Sequence, residues 1–300
     1  MTSVPSFRHP THPELPDGIT PPEPAPPARA DDRLGVPVWA PFAAALAALV
    51  AMTIIQFIVL AGVEAGGGDS EDLVDSNTAG IALTAVFDGF LVIFSIAIVW
   101  RLTERPTAAR FALRPASVRR SAAWIIGTFV AVWIAGAIIT LLFGEPKDQD
   151  LVTELKGEDS VLALVGFGLM TCVLAPLAEE FFFRGFLFRA LAERLNLVWG
   201  VVLGGAIFGL VHLPGGSVEG VVVLATLGAM LCLMVYYTAS LIPCIIMHAS
   251  FNSLAFGATK ELPWWGYLLV IAGSVCATLT ISLLATRLGR RGAPSELVPA

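Results

Sequence analysis

Charge is scarce in this chain of 300 residues: Lys, Arg, Asp and Glu together supply 14% of it, where a soluble domain carries roughly a quarter. Apolar residues supply 56%, and the mean hydropathy is +0.78. A buried core cannot account for so large a deficit of charge, so the expected solvent is the bilayer. Cysteine is sparse too. Cys172, Cys232, Cys244 and Cys276 all lie in apolar stretches with no CxxC spacing, and they read as small buried hydrophobes. No basic patch stands outside a few loops, so no nucleic-acid partner is expected. No basic-then-apolar segment opens the chain, so no signal peptide is expected. The His-Glu-x-x-His pattern of zinc peptidase helices is missing. Alternating apolar and polar runs, which a membrane barrel requires, are missing as well.

What is present is a proline-dense start followed by long apolar runs. Residues 1–36, with Pro21, Pro22, Pro24, Pro26 and Pro27, cannot bury enough apolar area to fold and are expected to form a disordered cytoplasmic tail. Eight runs of spanning length follow, at about 38–63, 79–101, 122–143, 160–190, 197–213, 219–239, 241–258 and 264–286. The expected fold is an all-α polytopic bundle. It divides into three spans within 37–159, four within 160–258, and a last span with a short tail in 259–300. Trp39, Trp100, Trp124, Trp199, Trp264 and Trp265 mark span ends, where indole rings favour the headgroup level. Arginines crowd the second loop from Arg101 to Arg120, follow the fourth span at Arg189 and Arg194, and follow the eighth from Arg287 to Arg291. The first and third loops are acidic instead. Basic loops stay inside, so both termini are expected in the cytoplasm, with the protein in the plasma (inner) membrane. In the fifth span Gly200/Gly204 and Gly205/Gly209 give small-xxx-small spacings, a signal for close helix packing.

Ionisable groups inside a span are costly and usually face the bundle interior or a wet cavity. Glu179, Glu180 and Arg184 interrupt the fourth span, His212 closes the fifth, and His248 and Asn252 lie four apart in the seventh. Glu180 and Arg184 share a helical face and can pair. Glu179 points about 100° away and has no partner four residues off, which suits a general base. His248 and Asn252 share a face and can address one oxyanion. At about 1.5 Å of rise per residue, Glu179 lies roughly 15 Å from Arg189, His212 roughly 22 Å from Leu197, and His248 about 10 Å from Leu241. These depths overlap, so one shared site, reached from the cytoplasmic side, is expected. Asp88 in the second span reads as a structural hydrogen-bond acceptor.

The ordered set Glu179-Glu180-x-x-x-Arg184, Phe208-x-x-x-His212 and His248-x-x-x-Asn252 resembles the CPBP family, which comprises the CAAX proteases and bacteriocin-processing enzymes, also called Abi proteins, and includes the type II CAAX prenyl endopeptidases. The likeness covers about 160–256. It implies an endopeptidase acting on a membrane-associated protein or peptide in the lipid bilayer. Carried over by position, Glu179 and His212 activate water, and His248 and Asn252 stabilise the oxyanion. Glu180, Arg184 and Phe208 support them. The family's usual classing as metalloproteases implies a divalent metal, zinc for instance, on Glu179, His212 and His248. Yet Glu179 cannot easily be both ligand and base, so a metal-free glutamate mechanism stays open. Two other functions also stay open. Intramembrane Glu and His form proton relays in transporters, although no internal repeat is visible here. A non-catalytic immunity or scaffold protein would keep the fold without the chemistry.

Overall fold

In lipid a backbone can satisfy its own polar groups only as helix or closed barrel, and this chain takes the first course. The computed structural model describes residues 33–69, 77–103, 107–144, 147 and 149–291; most of the proline-rich tail, residues 1–32, lies outside the described residues. Among the described residues there is no strand, and eight helices are long and apolar enough to cross a membrane. They are α1 (Trp39–Ala65), α2 (Asn77–Leu102), α3 (Val118–Phe143), and, after a short α4 (Asp150–Gly157), α5 (Val161–Arg194), α6 (Leu197–Leu210), α7 (Val218–Thr238), α8 (Ile242–Thr259) and α9 (Trp264–Arg291). The chain is an integral, multi-pass membrane protein. Its helices start where short polar side chains can cap them: Ser160, Asn196 and Ser217 accept from the N–H groups of Ala163, Trp199 and Gly220.

The bundle has a centre and a periphery. Over its most apolar stretch α8 is 56% buried and α5 44%, against 6% for α1. The outer helices turn Phe57, Trp133 and Leu141 outward, as a lipid solvent permits. Glycine sets the closest approach. A Cβ on Gly209 would lie 2.5 Å from the Val221 carbonyl oxygen, and one on Gly205 would lie 2.8 Å from that of Ala225. The spacing read from the sequence thus brings α6 against α7 backbone to backbone. Gly200 meets Ala192 in the same way, at the last turn of α5.

One end of the bundle is plugged. Between α2 and α3 the chain folds inward, burying Phe111, Ala112 and Leu113. Phe111 stacks on Phe181 at 4.4 Å between ring centroids, and the Ala112 carbonyl accepts from the N–H of Leu241 at 2.8 Å. Arg114 donates from Nε to the Ala239 carbonyl at 2.6 Å, and Ser240 donates to the Arg114 carbonyl. Gly185 is what lets this segment approach α5, since a Cβ there would meet the Phe111 carbonyl at 3.2 Å. At the same end Glu193 accepts from the N–H groups of Leu34 and Gly35, so buried Leu34 and Val36 stand against α5.

Candidate active site

The polar residues are aimed by an irregular α5. Two π-helical stretches, Met170–Leu174 and Phe181–Phe188, flank the α-helical Ala175–Glu180. Wide turns of this kind recur at functional sites. The cause of the first is legible in its hydrogen bonds. Met170's carbonyl takes the N–H of Ala175, five residues on. In the same register Thr171's carbonyl would take the N–H of residue 176, which is proline and has none. Asn252 of α8 supplies the missing donor: its Nδ2 donates to the Thr171 carbonyl at 2.8 Å. Thr171 and Pro176 have no part in the sequence reading, although a proline inside a span was the signal available for them.

Glu180 does more than pair with Arg184. Its Oε1 accepts from Arg184 Nη1 at 2.8 Å and stands 2.8 Å from His248 Nδ1. A carboxylate only accepts, so Nδ1 carries the hydrogen and Nε2 is left for other work. Glu180 and Arg184 are fully buried and His248 nearly so. The guanidinium lies over the Phe208 ring at 4.1 Å, a cation–π contact. That ring also packs beside His212 and edge-on to His248. Phe208 thus packs between the Arg184 guanidinium and the two imidazole rings, while Glu180 reaches His248 directly.

Above this layer lies a cavity of about 1240 Å³, with Glu179, His212, His248 and Asn252 all on its wall. Glu179 Oε2 is buried there and has no hydrogen-bond partner in the protein. His212 Nδ1 is 2.7 Å from the Phe208 carbonyl. A carbonyl can only accept, so Nδ1 again holds the hydrogen and the Nε2 lone pair is free. The four residues expected to carry the chemistry thus share one space, while Glu180 and Arg184 lie beneath it and do not line it. Asp88 is buried with Oδ2 unpartnered, close enough for the Glu179 charge to act on it.

One expectation needs revision. The cavity does not approach the arginine end, which the Phe111–Ser117 plug closes; its outer lining comes from the opposite ends of α3, α6 and α8. Helical rise measures depth along a span and says nothing about which end is open. Among the described residues no three His, Cys, Asp or Glu side chains are gathered closely enough to hold a metal ion. The trio Glu179, His212 and His248 does not fit a three-ligand centre as arranged.

Comparison with known proteins points the same way as the geometry. A family model described as type II CAAX prenyl endopeptidase, Rce1-like, matches residues 161–254, from the start of α5 into α8. The Bacillus subtilis (strain 168) protein named "Putative membrane peptidase YdiL" is 30% identical over 100 residues, which is 32% of this chain. The chain spans 40% of that relative's length. No solved structure matches.

Proposed function

We propose that the chain is an intramembrane endopeptidase of the CPBP type, similar to the type II CAAX prenyl endopeptidases whose family model matches residues 161–254, and that its general base is Glu179. The observation that carries the reading is the contrast between adjacent carboxylates. Glu180 is tied to Arg184 and His248, whereas Glu179 offers an unpartnered oxygen to the cavity. Neighbouring carboxyls in such different surroundings divide structural from chemical work.

In this reading Glu179 takes a proton from water, with the free Nε2 of His212 as second acceptor. The oxygen of that water bonds to the substrate's carbonyl carbon. The resulting oxyanion lies against the second amide hydrogen of Asn252 and against Nε2 of His248, which donates when both ring nitrogens carry protons. The proton held by Glu179 then passes to the amide nitrogen as the C–N bond breaks, releasing an acid and an amine. The apolar wall, with Ile81, Trp133, Phe167 and Phe251, suits a peptide carried in or on the bilayer.

The test is cleavage of a membrane-anchored fluorogenic peptide by purified protein in lipid vesicles. Glu179→Gln and His212→Ala are each expected to lose at least about 10²-fold in rate, the usual scale of acid–base catalysis. Wild-type rates in both variants would overturn the assignment.

A further inference from the structure

The two ends of the bundle differ in charge and in closure together. Among the described residues, every arginine from Arg101 onward except buried Arg184 stands at one end, on the α2–α3 loop, the end of α5 or the end of α9. The other end carries Lys147, Lys156 and Lys260 among more numerous acidic residues, including Glu64, Asp69, Asp150, Glu154, Glu158 and Glu261. By the preference of basic loops for the cytoplasm, the arginine end is inside.

Closure follows the same division. On the arginine side, the layers beneath His248 and Glu179 are filled by Arg184, Phe186, Leu187 and Leu241, all buried, and then by the Phe111–Ser117 plug. On the opposite side the cavity continues past Asn252 to Leu141, Glu154, Gly216, Ser217 and Thr259, where Leu141 and Glu154 are exposed. Helix α4 forms part of this rim, with Leu155 buried and its carbonyl held by Lys260 Nζ at 3.3 Å. Both α2 and α3 line the cavity through Thr84 and Trp133, yet α3 packs chiefly on α7 and α8. The cavity wall therefore passes from α2 to α3 with little packing of one helix on the other.

We propose that the cavity is reached from the extracytoplasmic side of the membrane, and that its substrate is an exported or outer-leaflet peptide segment. The substrate statement rests on the protease reading above; the side of access does not. An apolar peptide lying in the outer leaflet meets the open rim and the α2–α3 wall, whereas a cytosolic chain meets the plug.

Single cysteines read the side of access without any proteolysis. Thr171→Cys sits deep in the cavity, Ala255→Cys one turn above Asn252, and Arg119→Cys marks the plugged end. A charged, membrane-impermeant thiol reagent is applied to intact cells and to inverted membrane vesicles, with the unsubstituted chain as background for Cys276. Labelling of Thr171→Cys and Ala255→Cys in intact cells, with Arg119→Cys labelled only in inverted vesicles, is the expected result; Ala255→Cys serves alone if Thr171→Cys does not insert. Cavity cysteines that label only together with Arg119→Cys, from both sides, or from neither side overturn the proposal. The expected labelling pattern without cleavage of any outer-leaflet peptide leaves the access route standing and removes the protease reading.

Discussion

Removing Glu180 tests how much of the site depends on a residue that does not line it. In Glu180→Met the Arg184 guanidinium stays fully buried, keeping a 3.5 Å contact to the Gly228 carbonyl and the rings of Phe208 and Phe183 but no carboxylate. Breaking a buried pair in this way costs about 3–5 kcal/mol. His248 Nδ1–H also loses its acceptor, which adds about 1–3 kcal/mol for a buried unsatisfied donor. The double variant Glu180→Met/Arg184→Met removes both charges at similar volume, so only the histidine contribution should remain. Chemical unfolding in detergent is expected to show a large loss for the single variant and recovery of most of it in the double. Cleavage of the membrane-anchored peptide should stay depressed by about 10- to 100-fold in both, the scale of losing the residue that orients a site histidine. A single variant within about 1 kcal/mol of wild type, the value of an exposed pair, would show that the pair does not hold α5. A double variant that cleaves at the wild-type rate would show that Glu180 does not position His248.

Three further outcomes follow from particular contacts. Gly209→Val forces a side chain onto the Val221 carbonyl and should destabilise the α6–α7 pair by about 1–3 kcal/mol, read by detergent unfolding; an unchanged midpoint would mean the helices are not in backbone contact. Asn252→Leu strands the Thr171 carbonyl at a cost of about 1–3 kcal/mol, and adding Pro176→Ala, which restores an N–H in range, should recover stability without recovering cleavage. Protein stripped of metal by a chelator, with the stripping verified by elemental analysis, is expected to cleave at an undiminished rate; loss of activity restored by zinc would refute the glutamate mechanism.

The spans and the local pairs were legible in the sequence because both are properties of neighbouring residues. Hydropathy located all eight helices to within a few residues, and a separation of four put Glu180 on Arg184. The small-residue spacing marked α6 as a closely packed helix, and its glycines meet α7 and the last turn of α5. What escaped was set by contacts between distant segments. Glu180 and His248 are 68 residues apart, and Asn252 and Thr171 are 81 apart. No periodicity predicts such meetings. The plug escaped for a different reason: Phe111, Ala112 and Leu113 stand in an arginine-rich loop whose composition reads as solvated, and burial there depends on a glycine at position 185 in another helix.

The irregularity of α5 and the division of labour between its two glutamates have a common origin. In an unbroken α-helix Glu179 and Glu180 would differ only by the 100° of one residue. Here they close a six-residue α-helical stretch between two π-helical ones, and each wide turn leaves backbone groups that a neighbour must satisfy. Asn252 answers the first of these at Thr171, and the answer fixes the face of α8 that also carries His248, one turn away. His248 then meets Glu180, and Glu180 is thereby withdrawn from the cavity while Glu179 is left facing it. Proline 176 thus acts on the site at two removes, through an absent N–H and a borrowed amide. A helix that kept its hydrogen bonds regular would have no need of Asn252, and His248 would have no fixed address.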